Sequence, residues 1–405
     1  MNIRIKPGQA KGQVVAPPSK SYAHRLLICA ALAKGESLVK GIAKSQDILA
    51  TLDCIRALGA TDTEKETCLL LRGGNTPPQG IGDFPCRESG STLRFFIPLA
   101  LACLEGGRFT GSSRLLERGV GVYESLFAQK GIAIRKKNGA LMVQGELLPG
   151  EYILPGDVSS QFVSGLLFAL PLLKGESLLR VLPPVESEAY FRITIAALAL
   201  FGVQVEEIAP YTFRIPGAQT YQPREIQVEG DWSNAAFFLA LEALGNAVTV
   251  TGLNPQSLQG DKIAPALFQE LSSPNGGGTP INLSSCPDLA PILFAFAAAK
   301  AGGHFLGTRR LKIKESDRAQ AMAEELRKFG LCLDIQENEV IVPPGGLQKP
   351  KEILCGHNDH RIVMALAVLA TLTGATITDG EAVEKSFPNF FQILQDLGLE
   401  IEYGV

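Results

Sequence analysis

The sequence has no block of like charge and no basic tail. It sets 38 Lys and Arg against 41 Asp and Glu, for a formal net charge of −3. That balance argues against a dedicated nucleic-acid binder. No apolar run reaches membrane-spanning length, because Gly, Pro or polar residues interrupt each one, so no membrane partner is expected. The opening stretch MNIRIKPGQAKG carries no apolar signal core, and the eight cysteines are scattered with no CxxC pair. Both features lead to the expectation of reduced thiols and a cytoplasmic location. What remains is a globular composition, 46% hydrophobic and 20% charged. At 405 residues the chain is long enough for two or more domains.

Six apolar, Ala- and Leu-rich stretches end at Gly35, Gly106, Gly175, Gly245, Gly302 and Gly374, at intervals of 71, 69, 70, 57 and 72. A second, amphipathic set ends at Gly59, Gly131, Gly202, Gly330 and Gly398, with a blurred fourth member around ALFQELSSPNGGG. Strand-like runs follow, such as VQVEEI from Val203 and LCLDI from Leu331. Six copies of a unit with two helices and several strands are therefore expected, sharing about two domains. Pro98 and Pro171 lie within apolar stretches and are expected to kink them.

The residues just before the apolar helices read PPSKSYAHR, RESGSTLR, GDVSSQF, EGDWSNAAF, SSCPDLAP and GHNDHR. Ser, Asp and Asn are ordinary caps there. Caps do not account for Lys20, Arg25, Arg94 and Arg361. Helix N-termini already present free N–H groups and positive potential, so added cations make sense where phosphate or carboxylate binds. The stretch KIKESDRAQAMAEELRKFG poses the same question. Ser316 reads as a helix cap, Asp317 as first turn and Gly330 as terminator, with Ala319, Met322, Leu326 and Phe329 as the apolar stripe. Yet Lys314 and Arg318 crowd that helix start beside Glu315, where cations are unfavourable unless an anion sits between them.

With these motifs assembled, the chain resembles the 5-enolpyruvylshikimate-3-phosphate synthases of the enolpyruvyl transferase family. The resemblance spans the whole chain through SKSYAHR, SGSTLR, SRLLERG, DVSSQF, EGDWSNA, PDLAPI, KIKESDR, NDHR and KSFPNF, in the family's order. It implies an α/β (α+β) fold of two similar domains, each of three βαβαββ units. Residues 1–18 with 229–405 would form one domain and 19–228 the other, with the active site in a cleft that closes on substrates. It also implies transfer of the enolpyruvyl group of phosphoenolpyruvate to the 5-hydroxyl of shikimate 3-phosphate through a tetrahedral intermediate, with no metal or organic cofactor and with the protein acting as a monomer.

The site residues follow from the same resemblance. Asp288 would accept the hydroxyl proton, Glu315 would exchange a proton with C3, and Lys20 would touch both substrates. How the proton roles divide among these three stays open. Shikimate 3-phosphate would meet Lys20, Ser21, Arg25, Ser159, Ser160, Gln161, Ser187, Asp288 and Lys314, with Tyr190 covering the ring. Phosphoenolpyruvate would meet Lys20, Gly90, Arg94, Arg118, Gln161, Arg318, Arg361 and Lys385. A side chain at Gly90 would crowd the bound phosphate.

The chain departs from the common pattern at Glu88-Ser89-Gly90-Ser91, Phe95, Arg310 and Gly119, which leaves the detailed shape of the phosphoenolpyruvate pocket and the glyphosate response open. Two alternatives stand beside this reading. The sister enzyme acting on UDP-N-acetylglucosamine typically has Asn where this chain has Ser21, and carries a reactive cysteine where Ser112 to Arg118 has none. Cys103 reads as core. A non-catalytic binder of phosphorylated ligands would need the cations but not the acids. A metal site at His357-Asn358-Asp359-His360 lacks any supporting His or Cys cluster, and Asn358 and Asp359 suit a helix start.

Overall fold

A computed structural model describes residues 1–66, 68–74, 79–273 and 276–404. The chain divides into two compact units: an insert, Pro18–Glu229, and a discontinuous unit made of Met1–Pro17 and Gly230–Val405. Each has its own apolar core.

The insert contains helices α1 (Lys20–Leu32), α2 (Gln46–Ala57), α3 (Gly90–Cys103), α4 (Ser113–Arg118), α5 (Gly121–Ala128), α6 (Ser160–Ala169) and α7 (Glu188–Leu200). The discontinuous unit contains α8 (Trp232–Ala243), α9 (Ala264–Ser272), α10 (Ala290–Ala298), α11 (Arg318–Lys328), α12 (His360–Thr373) and α13 (Phe390–Asp396). The six apolar stretches are α1, α3, α6, α8, α10 and α12. Beyond their polar first turns they are largely apolar and mostly buried, and so lie in the cores; every residue of α10 is buried. The amphipathic set is α2, α5, α7, α9, α11 and α13, each with one face covered. The blurred fourth member resolves as α9, although Pro274 and Asn275 of that stretch fall outside the described residues. Gly59, Gly131, Gly202, Gly330 and Gly398 take φ between +72° and +92°, the left-handed geometry that ends a helix without a Cβ penalty.

The insert repeats one sheet pattern three times. In the third copy, Glu151–Pro155 runs parallel to Ser177–Leu182, which pairs antiparallel with Thr212–Ile215, itself antiparallel to Glu206–Ala209. Gly82–Pro85, Gly106–Thr110, Ala140–Gln144 and Ala133–Lys137 form the second copy in the same order. In the first copy the leading strand is borrowed: Glu225–Gln227, from the end of the insert, runs parallel to Glu36–Lys40. The discontinuous unit has one full copy, Pro280–Asn282, Gly303–Leu306, Glu339–Val342 and Asp334–Ile335. Its other two sheets borrow from the chain start. Lys11–Val15 runs parallel to Ala247–Thr251, and Ile3–Ile5 lies antiparallel between Ala375–Ile377 and Ile401–Tyr403.

Three local expectations need correcting. Helix α11 is capped by Asp317, whose side chain accepts the Gln320 N–H. Ser316 instead donates its hydroxyl to Asp359 Oδ2 at 3.0 Å, a stronger, charged acceptor. Pro171 does not kink α6. The helix stops at Ala169 and hands over to a 3-10 turn, Leu170–Leu172, where the missing N–H costs nothing. Helix α3 does run through Pro98. The strands after α7 and α11 begin later than the apolar runs, because Val203 and Leu331 pack into the cores before pairing starts.

Candidate active site

In the insert, the predicted residues gather at helix starts. Ser89 caps α3 and Gly90 is its first residue. A methyl group placed on Gly90 would stand 3.2 Å from both Nη atoms of Arg118 and from Nη1 of Arg94. Two guanidinium groups therefore converge on one helix N-terminus. Arg94 donates to Gln161 Oε1 at 2.5 Å, and Gln161 Nε2 donates to the Ser91 hydroxyl at 3.0 Å. Phe162 supports the Arg94 guanidinium, 5.1 Å from the ring centroid. Like charges held this close to a helix dipole of the same sign are costly without an anion.

Lys20 opens α1 and pairs with Asp47 at 2.8 Å. Arg25, one turn on, is 2% exposed. It donates to the Ser21 carbonyl at 2.7 Å, the Tyr190 carbonyl at 2.8 Å and the Thr194 hydroxyl at 2.7 Å. Arg25 thus lies beneath Ser21 as a strut between α1 and α7. Ser159 caps α6 and Ser160 and Gln161 open it, while Ser187 precedes α7 with φ +54°, ψ 37° and no capping hydrogen bond. Left-handed geometry in a residue with a Cβ is strained, and strain of this kind gathers at binding sites.

The discontinuous unit holds the acids. Asp288, in the turn Pro287–Leu289 ahead of α10, meets three cations: Arg318 Nη1 at 2.8 Å, Lys314 Nζ at 3.1 Å and Arg361 Nη2 at 3.5 Å. Burial alone would favour its neutral form, but Arg361, Lys314 and Arg318 outweigh that and hold the carboxyl well below the usual range. Glu315 Oε2 sits 2.7 Å from Arg318 Nη2. Lys314 is pulled below the usual lysine value by burial, against the attraction of Asp288. Lys385 donates to the Asn358 carbonyl at 2.6 Å, at the loop leading into α12. Six of the expected residues, Asp288, Lys314, Glu315, Arg318, Arg361 and Lys385, therefore occupy one neighbourhood.

One member of that neighbourhood escaped the sequence reading. Asp359 caps α12, as expected, and accepts the Arg361 N–H. It also takes Arg318 Nε at 2.9 Å and Nη2 at 3.3 Å, with both groups essentially buried. The signal was present in NDHR, but a capping role concealed the charge role. His357 turns its Nε2 to Glu325 Oε1 at 3.1 Å, and His360 is buried at 1% exposure. No group of three His, Cys, Asp or Glu side chains among the described residues is arranged to hold a metal ion. No described helix is long and apolar enough to cross a membrane.

The family model for EPSP synthase (3-phosphoshikimate 1-carboxyvinyltransferase) matches residues 5–394. The chain belongs to the EPSP synthase family. Curated relatives named 3-phosphoshikimate 1-carboxyvinyltransferase include that of Clostridium kluyveri, 39% identical over 99% of this chain and 98% of the relative, and that of Clostridioides difficile, 34% identical over 99% and 98%. Among solved structures, an EPSP synthase from Acinetobacter baumannii superposes with a TM-score of 0.78 at 25% identity, covering 99% of both chains. The repeated βαβ units described above are the enolpyruvyl transferase fold. The activity of the EPSP synthase family is transfer of the enolpyruvyl group of phosphoenolpyruvate to shikimate 3-phosphate, a step of the shikimate pathway.

Proposed function

We propose that the two sets of residues serve this one reaction with the following roles. In the addition, Glu315 gives a proton to C3 of phosphoenolpyruvate, the 5-hydroxyl oxygen bonds to C2, and Asp288 takes the hydroxyl proton. In the elimination, C3 returns a proton to Glu315, the C2–O bond to phosphate breaks, and Asp288 returns its proton to the leaving phosphate. Both acids end as they began. Lys20 offsets the charge of the departing phosphate. Arg94, Arg118 and Gln161 around Gly90, with Arg318, Arg361 and Lys385, neutralise phosphoenolpyruvate. Ser159, Ser160, Ser187 and Ser21, the last held by Arg25, suit the 3-phosphate, and Lys314 with Asp288 suits the ring hydroxyls.

The observation that carries this reading is the ring of three cations around Asp288 with Glu315 on the same Arg318. With no substrate present, those cations make Asp288 a weak base. Anionic phosphoenolpyruvate drawing on Arg318 and Arg361 relieves that hold and raises the basicity of Asp288 when the hydroxyl is in place. A binder of phosphorylated ligands would need no such arrangement. The test is phosphate release from phosphoenolpyruvate with shikimate 3-phosphate, run beside UDP-N-acetylglucosamine. Release only with shikimate 3-phosphate supports the reading. Release only with the nucleotide sugar, or ligand binding without release, sinks it. The protein is proposed to act as a cytoplasmic monomer without a cofactor, which sedimentation of the active, metal-stripped protein would check.

A further inference from the structure

Near Asp288 lies a second buried carboxyl group that these roles do not use. Asp261 stands in the 3-10 turn Gly260–Ile263 and is 2% exposed. Ser233, in the first turn of α8, donates its hydroxyl to Oδ2, while Oδ1 has no hydrogen-bond partner in the protein. Among the described residues no lysine or arginine forms an ion pair with it. Its neighbour Lys262 turns away to the Ser257 carbonyl at 2.7 Å. The charges that do face Asp261 are Asp288 from the Pro287–Leu289 turn, Arg361 from α12 and Asp231, the N-cap of α8. Cys286 is buried beside both carboxyl groups, and its thiol is pushed up by burial and then by Asp261 and Asp288.

The two carboxyl groups are thus unequal. Asp288 meets three cations at hydrogen-bond or ion-pair distance, and Asp261 meets one hydroxyl. Where two such groups interact, the cations decide which one gives up its proton. We propose that Asp261 is a positioning residue for the reaction, the carboxyl group of the pair that takes up a proton first, so that Asp288 stays the base and the charge on Asp261 sets how strongly Asp288 holds a proton. The inference rests on the reading of Asp288 as the base. Burial, and then the Asp288 carboxylate, raise the Asp261 carboxyl to about 7. It is therefore neutral in acid and ionises across neutrality. Once ionised it adds negative charge near Asp288, which then holds a proton more strongly, and it weakens the field of Arg361.

The only tryptophan in the chain, Trp232, precedes Ser233 on α8 and gives a direct readout. Its fluorescence is titrated from pH 5.5 to 9 in the substrate-free parent, in Asp261→Asn and in Ser233→Ala. The parent is expected to inflect near pH 7, and Asp261→Asn to lose the inflection. Ser233→Ala removes a hydrogen bond that favours the ionised form, so its inflection should move up by about one pH unit. The pH profile of kcat should show the same loss and the same shift. Superimposable titrations in all three proteins overturn the inference, and so does a lower melting temperature in Asp261→Asn with no change in either profile. If Asp261→Asn does not fold, an unmoved inflection in Ser233→Ala overturns it. A parent that titrates as described but releases no phosphate overturns the functional reading instead.

Discussion

Replacing Asp359 with Asn should separate charge from shape at the centre of the acidic half-site. Asn caps a helix about as well as Asp, so the α12 cap survives. What goes is the negative charge facing Arg318, which is itself 1% exposed. Arg318 keeps Asp288 and Glu315 as partners, so the loss belongs at the lower end for breaking a buried pair, about 3 kcal/mol. For a unit of this size that corresponds to about 6–12 °C in melting temperature, at 2–4 °C per kcal/mol. Arg318 then leans on Asp288 and Glu315, so turnover should fall as well. The pH dependence has a definite sign. Burial opposes the Asp359 charge, but Arg318 outweighs it and the carboxyl is depressed below its usual range. Its contribution is therefore fully present above the unfolded value, about 4, and fades as pH falls through the lower folded value. Calorimetry at pH 7.5 should show the full gap between parent and variant, and a series toward pH 3 should show it shrinking. A gap under 1 °C at pH 7.5, or one that widens in acid, would refute the reasoning.

Asp288→Asn and Glu315→Gln should each lose about 10²–10⁴ in kcat while calorimetric binding of shikimate 3-phosphate stays close to that of the parent. Normal turnover in both would end the role assignment. Gly90→Ala pushes a methyl group against Arg94 and Arg118 at 3.2 Å. Steady-state kinetics should show the KM for phosphoenolpyruvate rising by about tenfold, roughly 1.4 kcal/mol, and the KM for shikimate 3-phosphate moving little. Equal rises in both would count against the placement of the phosphoenolpyruvate anion. Ser187→Gly relieves a left-handed serine. Urea unfolding should show a gain of up to about 1 kcal/mol, while the KM for shikimate 3-phosphate rises from loss of the hydroxyl.

The repeat was legible because its punctuation is chemical: apolar helices, small polar residues before them and glycines after them. The cationic helix starts were legible for the same reason, since nothing in the neighbouring sequence accounts for Arg94 and Arg361 on a dipole of their own sign. The pairing was not legible. Arg318 meets Asp288 and Asp359, thirty and forty-one residues away, and no local pattern selects those partners. Asp261 was passed over because a lone acid in GDK looks like surface until α8 covers it. The cap of α11 was misplaced by one residue because Ser316 and Asp317 are both good caps locally, and only the distant Asp359 decides between them. The buried contacts of Arg25 with Thr194 and Tyr190 become visible only once α7 packs on α1.

The borrowed strands have a consequence for how this chain is made. Ile3–Ile5 emerges from the ribosome about 370 residues ahead of its partner Ala375–Ile377 and further still ahead of Ile401–Tyr403. The named strands of the insert all pair within it, so it can form its sheets while the rest is being synthesised. Doing so draws its own ends together, with Ser19 N–H donating to the Glu229 carbonyl at 2.8 Å. The long detour between Pro17 and Gly230 then shrinks to a short span, closed by the Asp231 N–H on the Pro17 carbonyl at 2.7 Å. Much of the loop-closure entropy of the discontinuous unit is thus removed before that unit begins to assemble. Until synthesis reaches Ala375, Ile3–Ile5 waits with open edges, whereas Lys11–Val15 gains its partner at Ala247–Thr251; Ile3–Ile5 is therefore the strand most in need of protection in the nascent chain.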